Sequence, residues 1–296
     1  MKKILIATTI LGMSAGFAAA DVSFKGTGTV GFASNGTAAG GALNPTPAIA
    51  SDATEVYSSF KLSVAASGET DSGLTFGASS SITTGVTYVM ADDDGFESGA
   101  KTLGTPTLFI AGEFGKIQFK ANGFKELQDD SNENYDVDYA GTFGGLSVGV
   151  RSDLNTVAAN PGYNAATAGK SSISLGYTVS EITLGAAYDE VGDKWGISAS
   201  RAFGPVTAKL STDDASVTAL KVSYAADALS ASLLVKSTNA WEVEAGYTAN
   251  GLTIGAKTTD LSKWKVTAAY DLGGGLSLEA GTNYTEDMFV GAKMAF

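Results

Sequence analysis

The run Met288-Phe-Val-Gly-Ala-Lys-Met-Ala-Phe296 alternates at period two. Met288, Val290, Ala292, Met294 and Phe296 fall on one side of an extended strand, while Gly291 and Lys293 fall on the other. Such a strand is apolar on one face and wet on the other, and it stops on an aromatic. Termini usually fray into water. An apolar strand carried through to Phe296 is expected where a final strand must seal a closed sheet against the first.

At the other end, Met1-Lys2-Lys3 is positive, Ile4 to Phe17 is apolar, and Ala18-Ala19-Ala20 offers a small-residue cleavage site before Asp21. This pattern predicts a secretory signal peptide over residues 1–20, with an apolar core too short for a spanning helix. A buried N-terminal helix is the other reading of that stretch. Cleavage leaves residues 21–296 as one domain, since no linker or shift in composition divides them. No other stretch reaches 18 consecutive apolar residues, so any membrane crossing must be made by strands.

Composition excludes several chemistries. The 296 residues include no cysteine and no histidine, which removes disulfides, thiolate metal sites and the imidazole base of hydrolases. No enzyme activity and no cofactor are expected. The formal charge is −12, and loss of Lys2 and Lys3 lowers it by two, to −14. That balance argues against nucleic acid and anionic membrane surfaces as partners. The 37 glycines and five prolines suit many short strands joined by tight turns.

From Val56 onward a two-strand unit repeats. Two-residue turns are expected at Phe114-Gly115, Gly144-Gly145, Ser180-Glu181, Gly204-Pro205, Asp227-Ala228 and Asn250-Gly251, with a Gly273-Gly274-Gly275 turn near the end. Asn-Gly and Gly-Gly tolerate the positive φ that short hairpins need. A looser turn, Gly68 to Ser72, joins strands near Val56–Ala66 and Gly73–Thr83. With a first strand at Val22–Phe32 and a last at Met288–Phe296, these hairpins make eighteen strands. The other connections include long polar segments at 33–54, 85–104 and 154–169, and a short charged one at 124–134. Short turns on one rim and longer loops on the other characterise membrane barrels.

Aromatic residues set which face meets lipid. Tyr177, Tyr224, Tyr247 and Tyr270 each precede a short turn by three residues, on the apolar face. Trp195, Trp241 and Trp264 sit on that face just after an outer loop. Two rings of amphipathic aromatics around an aliphatic band form a girdle. Arg201 falls on the same face, close enough to a turn to snorkel. The fold expected is all-β: a transmembrane antiparallel up-and-down β-barrel of 16–18 strands, the turn count favouring 18.

The opening Asp21-Val-Ser-Phe-Lys-Gly-Thr-Gly28, the segment Gly68-Glu-Thr-Asp-Ser-Gly-Leu-Thr-Phe-Gly77, Phe109-Ile-Ala-Gly-Glu-Phe-Gly-Lys116 and the terminal Phe296 resemble the trimeric Gram-negative general porins, alphaproteobacterial ones in particular. The resemblance implies a water-filled diffusion pore of the outer membrane, usually of sixteen strands. It further implies a homotrimer set in lipid and lipopolysaccharide, with Phe296 serving the outer-membrane assembly machinery. A third outer loop folded into the lumen as a constriction is also implied. Here that loop is 124–134, short for the family.

Parity places Lys25, Lys61, Lys116, Lys120, Lys209, Lys221, Lys236, Lys257, Lys265 and Lys293 in the lumen. Lys25, Lys61, Lys257, Lys265 and Lys293 gather around the closing seam as a basic wall. Glu126, Asp129, Asp130 and Glu133 in the loop, with Asp136 and Asp138 behind them, are expected to face that wall. Opposed charges across a narrow aperture make a transverse field that orients polar solutes and slows apolar ones. Small hydrophilic solutes and ions are then the cargo. A solute-specific channel, or an exported β-protein without transport, are the other readings. Asp92-Asp93-Asp94-Gly95 with Glu97 could bind calcium or form a solvated acidic loop; no metal site is assigned.

Overall fold

A computed structural model of the chain describes residues 21–34, 54–85, 102–129, 133–155 and 167–296. The expected signal peptide, the 92–97 acidic run and Asp130 lie outside these residues, as does the side chain of Glu133.

The first part of the sheet contains β1 (Asp21–Ser34), β2 (Thr54–Glu69), β3 (Thr75–Gly85), β4 (Thr102–Leu103), β5 (Thr107–Gly112), β6 (Gly115–Lys125), β7 (Glu133–Phe143) and β8 (Leu146–Ser152). The second contains β9 (Ser171–Val179), β10 (Ile182–Asp189), β11 (Lys194–Phe203), β12 (Val206–Asp213), β13 (Thr218–Ala226) and β14 (Leu229–Lys236). It continues through β15 (Trp241–Ala249), β16 (Leu252–Thr259), β17 (Trp264–Gly273), β18 (Leu276–Asn283) and β19 (Met288–Ala295). Apart from the split stave formed by β4 and β5, each pairs antiparallel with its chain neighbour. Strand β19 returns to β1 with Thr27 opposite Ala295 and Ser34 opposite Met288. Closure leaves no sheet edge, which is what a strand structure in hydrocarbon requires.

Segments β4 and β5 both pair with β3 and form one stave, interrupted at Gly104–Pro106. Pro106 cannot donate to a ladder. The break is bridged by the Gly104 amide donating to the Ser81 carbonyl at 2.6 Å and by Ser80 Oγ donating to the Gly104 carbonyl at 2.7 Å. The barrel therefore has eighteen strands, as the turn count indicates, against the sixteen usual in the family it resembles.

Turn chemistry explains the short rim. Ser180 and Glu181 sit at φ 48° and 67°, Gly144 and Gly145 at 55° and 87°, the doubly positive geometry whose twist matches the flanking strands. One turn lies a residue earlier than expected: Gly112 pairs with Gly115, so the loop is Glu113-Phe114 and Gly115 already belongs to β6.

Burial runs opposite to that of a water-soluble domain. Among the described residues the buried hydrophobics are Ala33, Tyr57 and Tyr135. Glu126, Asp138, Asp153, Thr167, Ser172, Asp189, Asn283 and Asp287 are buried polar groups. Large aliphatic and aromatic side chains cover the outside. Only a solvent that is itself apolar makes that arrangement stable. Among the described residues, no helix is long and apolar enough to cross a membrane.

The closing seam is locked from within. Tyr57 of β2 lies across the inner faces of β1 and β19, its hydroxyl occupying the space a Cβ would take at Gly31, 2.6 Å away, and at Gly291. Glycine is required at both positions by this close approach. Phe296 exchanges both backbone hydrogen bonds with Gly26, at 2.9 and 3.2 Å. Its ring covers the flat face of Gly26 beside Phe60.

Candidate functional site

The site is the inner wall and one segment folded onto it. Cross-strand register carries a single parity around the barrel: Lys257 opposes Lys265, Lys265 opposes Asn283, Ser277 opposes Lys293, and Thr27 opposes Lys61. By this register Lys25, Lys61, Lys257, Lys265 and Lys293 share one parity, that of the inner face. Trp195, Trp241, Trp264, Tyr177, Tyr224, Tyr247 and Tyr270 share the outer face, each 39–47% exposed. Arg201 is also outside, paired with Glu181 at 3.0 Å and lying over the Phe203 ring at 5.1 Å.

The inner lysines do not stand alone. Lys257 contacts Glu242 at 2.9 Å and Glu244 at 3.7 Å, and Lys293 contacts Glu279 at 3.7 Å. These three acids alternate with the lysines on the lumen face, so the wall is mixed in charge. Their parity is plain in the sequence, yet their role as counter-charges appears only once the register places them opposite.

Segment 126–129 turns inward. Its origin is a bulge in β6: Phe119 pairs with Val137 and Phe124 with Tyr135, so β6 spends five residues where β7 spends two. Asn122 takes φ 48° there and its amide donates to Asp136 Oδ1 at 2.8 Å. Such an irregularity bends the strand and re-aims the residues beyond it. The Leu127 amide then donates to Ser172 Oγ on β9 at 2.9 Å. Leu127 methyls rest over Gly149 of β8, and Gln128 lies beside Gly196 of β11. All three wall positions are on the inner parity.

Charge fixes the segment. Lys194, opening β11, reaches Glu126 at 3.3 Å and Asp129 at 3.2 Å. Arg151 on β8 donates to Asp138 at 2.7 Å, and to the Glu126 carbonyl at 3.4 Å as well as to that of Lys125. Gln118 donates to the second Asp138 oxygen at 3.1 Å. Behind the segment, Tyr135 donates to the buried Asp189 at 2.6 Å. Glu126 is fully buried, whereas the Asp129 side chain is 42% exposed. A buried carboxylate persists only when paired and hydrogen-bonded. Glu126 is accordingly an anchor, and Asp129 the member of the pair that meets the lumen. Sequence reasoning misses Arg151 and Lys194. Each shares the parity of a neighbouring Gly or Ser, but the segment they clamp is visible only in three dimensions.

Strands β9 to β11 stand halfway round the eighteen staves from the β19–β1 seam. The folded segment thus lies on the wall facing Lys25, Lys61 and Lys293. The hollow between the segment and the short-turn rim measures about 820 Å³ and is bordered by Lys116, Leu127, Asp138 and Arg151. Lys116 lies over the Phe109 ring, 4.6 Å from its centroid. Among the described residues, no group of three or more Asp or Glu is arranged to hold a metal ion.

A closed antiparallel barrel that is apolar and aromatic-banded outside, charged and hollow inside, and narrowed by a folded-in segment is a transmembrane channel of the outer-membrane type. The chain belongs to the Gram-negative porin family, whose profile matches residues 7–288. It is an outer-membrane diffusion channel. Among solved structures it is similar to variants of the porin of Rhodopseudomonas blastica. One carrying five substitutions has 16% identity and a TM-score of 0.53, covering 93% of this chain and 100% of that one. Another carrying two substitutions has 16% identity and a TM-score of 0.54 over the same coverage. At that identity the likeness concerns the fold alone. No curated protein sequence matches the chain.

Proposed function

We propose that the barrel is a general porin: a permanently open, water-filled route by which small hydrophilic solutes and ions cross the outer membrane. The supporting observation is the acidic segment anchored by Lys194 and Arg151 on the wall facing the lysine-bearing seam. Asp129, with Asp130 and Glu133 beyond it in sequence, supplies the negative side of the aperture. Lys25, Lys61, Lys257, Lys265 and Lys293 supply the positive side. Water and polar solutes align in such a field while apolar solutes must break it. The acidic formal charge favours cations mildly, and the glutamates among the lysines act in the same direction.

The same proposal includes cleavage after Ala20, assembly as a homotrimer in lipid and lipopolysaccharide, and recognition of Phe296 by the assembly machinery. The test is single-channel recording of refolded chain 21–296 in a planar bilayer under a salt gradient. Long-lived conductance steps in groups of three, with a small cation-favouring reversal potential, are expected. Flat traces from correctly folded protein would sink the reading.

A further inference from the structure

Several cations on the inner wall sit beside a counter-charge. Lys194, Lys257, Lys293 and Arg151 each touch a carboxylate. Lys209 and Lys221 differ. They occupy directly opposed positions on β12 and β13, both on the lumen parity. Among the described residues neither has a carboxylate within ion-pair distance. Directly opposed like charges destabilise a sheet, because their Cβ atoms stand only about 5 Å apart. The nearby Lys257–Lys265 pair, opposed in the same way, is relieved by Glu242 and Glu244. Among the described residues, no acidic group gives Lys209 and Lys221 the same relief.

The surroundings of this pair are hydroxyl-rich. Ser200 pairs with Lys209 from β11, while Ser211 and Ser223 flank the two lysines on their own strands. Among the described residues, none of these three hydroxyls has a hydrogen-bond partner. Lys221 and Ser223 border a wall hollow of about 470 Å³ that continues to Ser232 and Glu244. Glu244 is already engaged by Lys257 and by Ser232, the latter at 3.4 Å. Two lysines on directly opposed positions, with the Ser223 hydroxyl on the same face, match a compact oxyanion of charge two, whose several oxygens accept from several donors at once.

We infer that Lys209 and Lys221, with Ser223 at the edge of the adjoining hollow, form a lumen subsite for small divalent oxyanions such as phosphate, sulfate or a dicarboxylate. The pair lies near the middle of β12 and β13, one and two staves past β11, so it is beside the folded segment and not across from it. An anion resting there is held by two charges in a hydrated wall, tightly enough to dwell and weakly enough to leave, as conduction requires. Dwelling dianions obstruct the passage of other ions. The inference rests on the open-channel reading.

The test uses sulfate, whose charge is constant across neutral pH. Chloride conductance of the refolded channel is recorded while sulfate is titrated at fixed ionic strength, which holds screening constant. Sulfate is expected to depress the chloride conductance of the unaltered channel, and in K209Q/K221Q the half-inhibiting concentration should rise about tenfold, the loss of two charge-assisted contacts. K25Q/K61Q removes the same charge from the opposite wall and is expected to shift it less than twofold. Sulfate inhibition unchanged in K209Q/K221Q, or relieved equally by K25Q/K61Q, would overturn the subsite while leaving the channel intact. Absence of conductance in chloride alone would instead overturn the channel reading, and the subsite with it.

Discussion

The two halves of the barrel wall are built differently. Alternate strands from β9 onward begin at residues 171, 194, 218, 241, 264 and 288, a spacing of 23 or 24 residues. Each hairpin repeats the same closure at its long-loop end: the Asp214 amide donates to the Trp195 carbonyl, Ser237 to Thr218, Asp260 to Trp241 and Tyr284 to Trp264. Asp214 and Asp260 also return a carboxylate to the amides of Trp195 and Trp241, both at 3.3 Å. Among the described residues, the strands from β1 to β8 show no such period. That half contains the broken stave at Gly104–Pro106, the bulge in β6, and the segment folded onto the wall. The repeated hairpins make a wall, disturbed only slightly by a bulge at Asp271–Gly273 of β17, whereas the large bulge in β6 carries the segment that sits inside.

This difference predicts that substitutions among the irregular contacts cost more than those in the repeats. Removing Tyr57, the clasp over Gly31 and Gly291, should cost the most. Y57A is expected to lose about 3 kcal/mol, the usual range for a buried aromatic, read from urea unfolding in lipid vesicles by tryptophan fluorescence. K194A leaves Glu126 buried without its lysine. It should cost about 2 kcal/mol, less than for a fully buried pair because Lys194 is partly wetted. K194A should also raise single-channel conductance by loosening the segment, whereas Y57A in folded protein should not.

In the repeats the effects shrink. Gly251 sits at φ 80° in a two-residue turn, and G251A should cost about 1 kcal/mol for a left-handed side chain, with conductance unchanged. R201A removes a pair with Glu181 at the short-turn rim of the lipid face, where an arginine can snorkel and its cost in the membrane is close to zero, and it should shift stability by less than about 1 kcal/mol. If G251A proved costlier than Y57A, the division between a clasped half and a modular half would fail.

Much of the regular half is legible in the sequence because its determinants are local. Asn250-Gly251 fixes a turn, the turn fixes a register, and Trp241, Val243, Ala245 and Tyr247 then mark the outside by alternation alone. The same alternation marks the lumen lysines. The folded segment is not legible in that way. Its anchors come from β8, β9 and β11, and neither a bulge at Asn122 nor the bare wall at Gly149 announces itself in a local pattern. The counter-charges Glu242, Glu244 and Glu279 are an intermediate case, visible as polar residues but assigned to lysines only by the cross-strand register. The interruption at Gly104–Pro106 has a sequence signal in Pro106, yet the stave continues across it because Ser80 and Ser81 supply the bridging hydrogen bonds.

The seam has a temporal consequence. Thr27 meets Ala295, and Gly26 meets Phe296, so the contacts that finish the wall join residues separated by nearly the whole chain. Loops of that size close slowly, and topologies dominated by distant pairing fold late. Until then both edge strands expose unpaired amides and carbonyls, the template for joining another chain. The wall therefore stays an open sheet until β1 and β19 meet, and the hydrogen bonds between them turn the sheet into a ring.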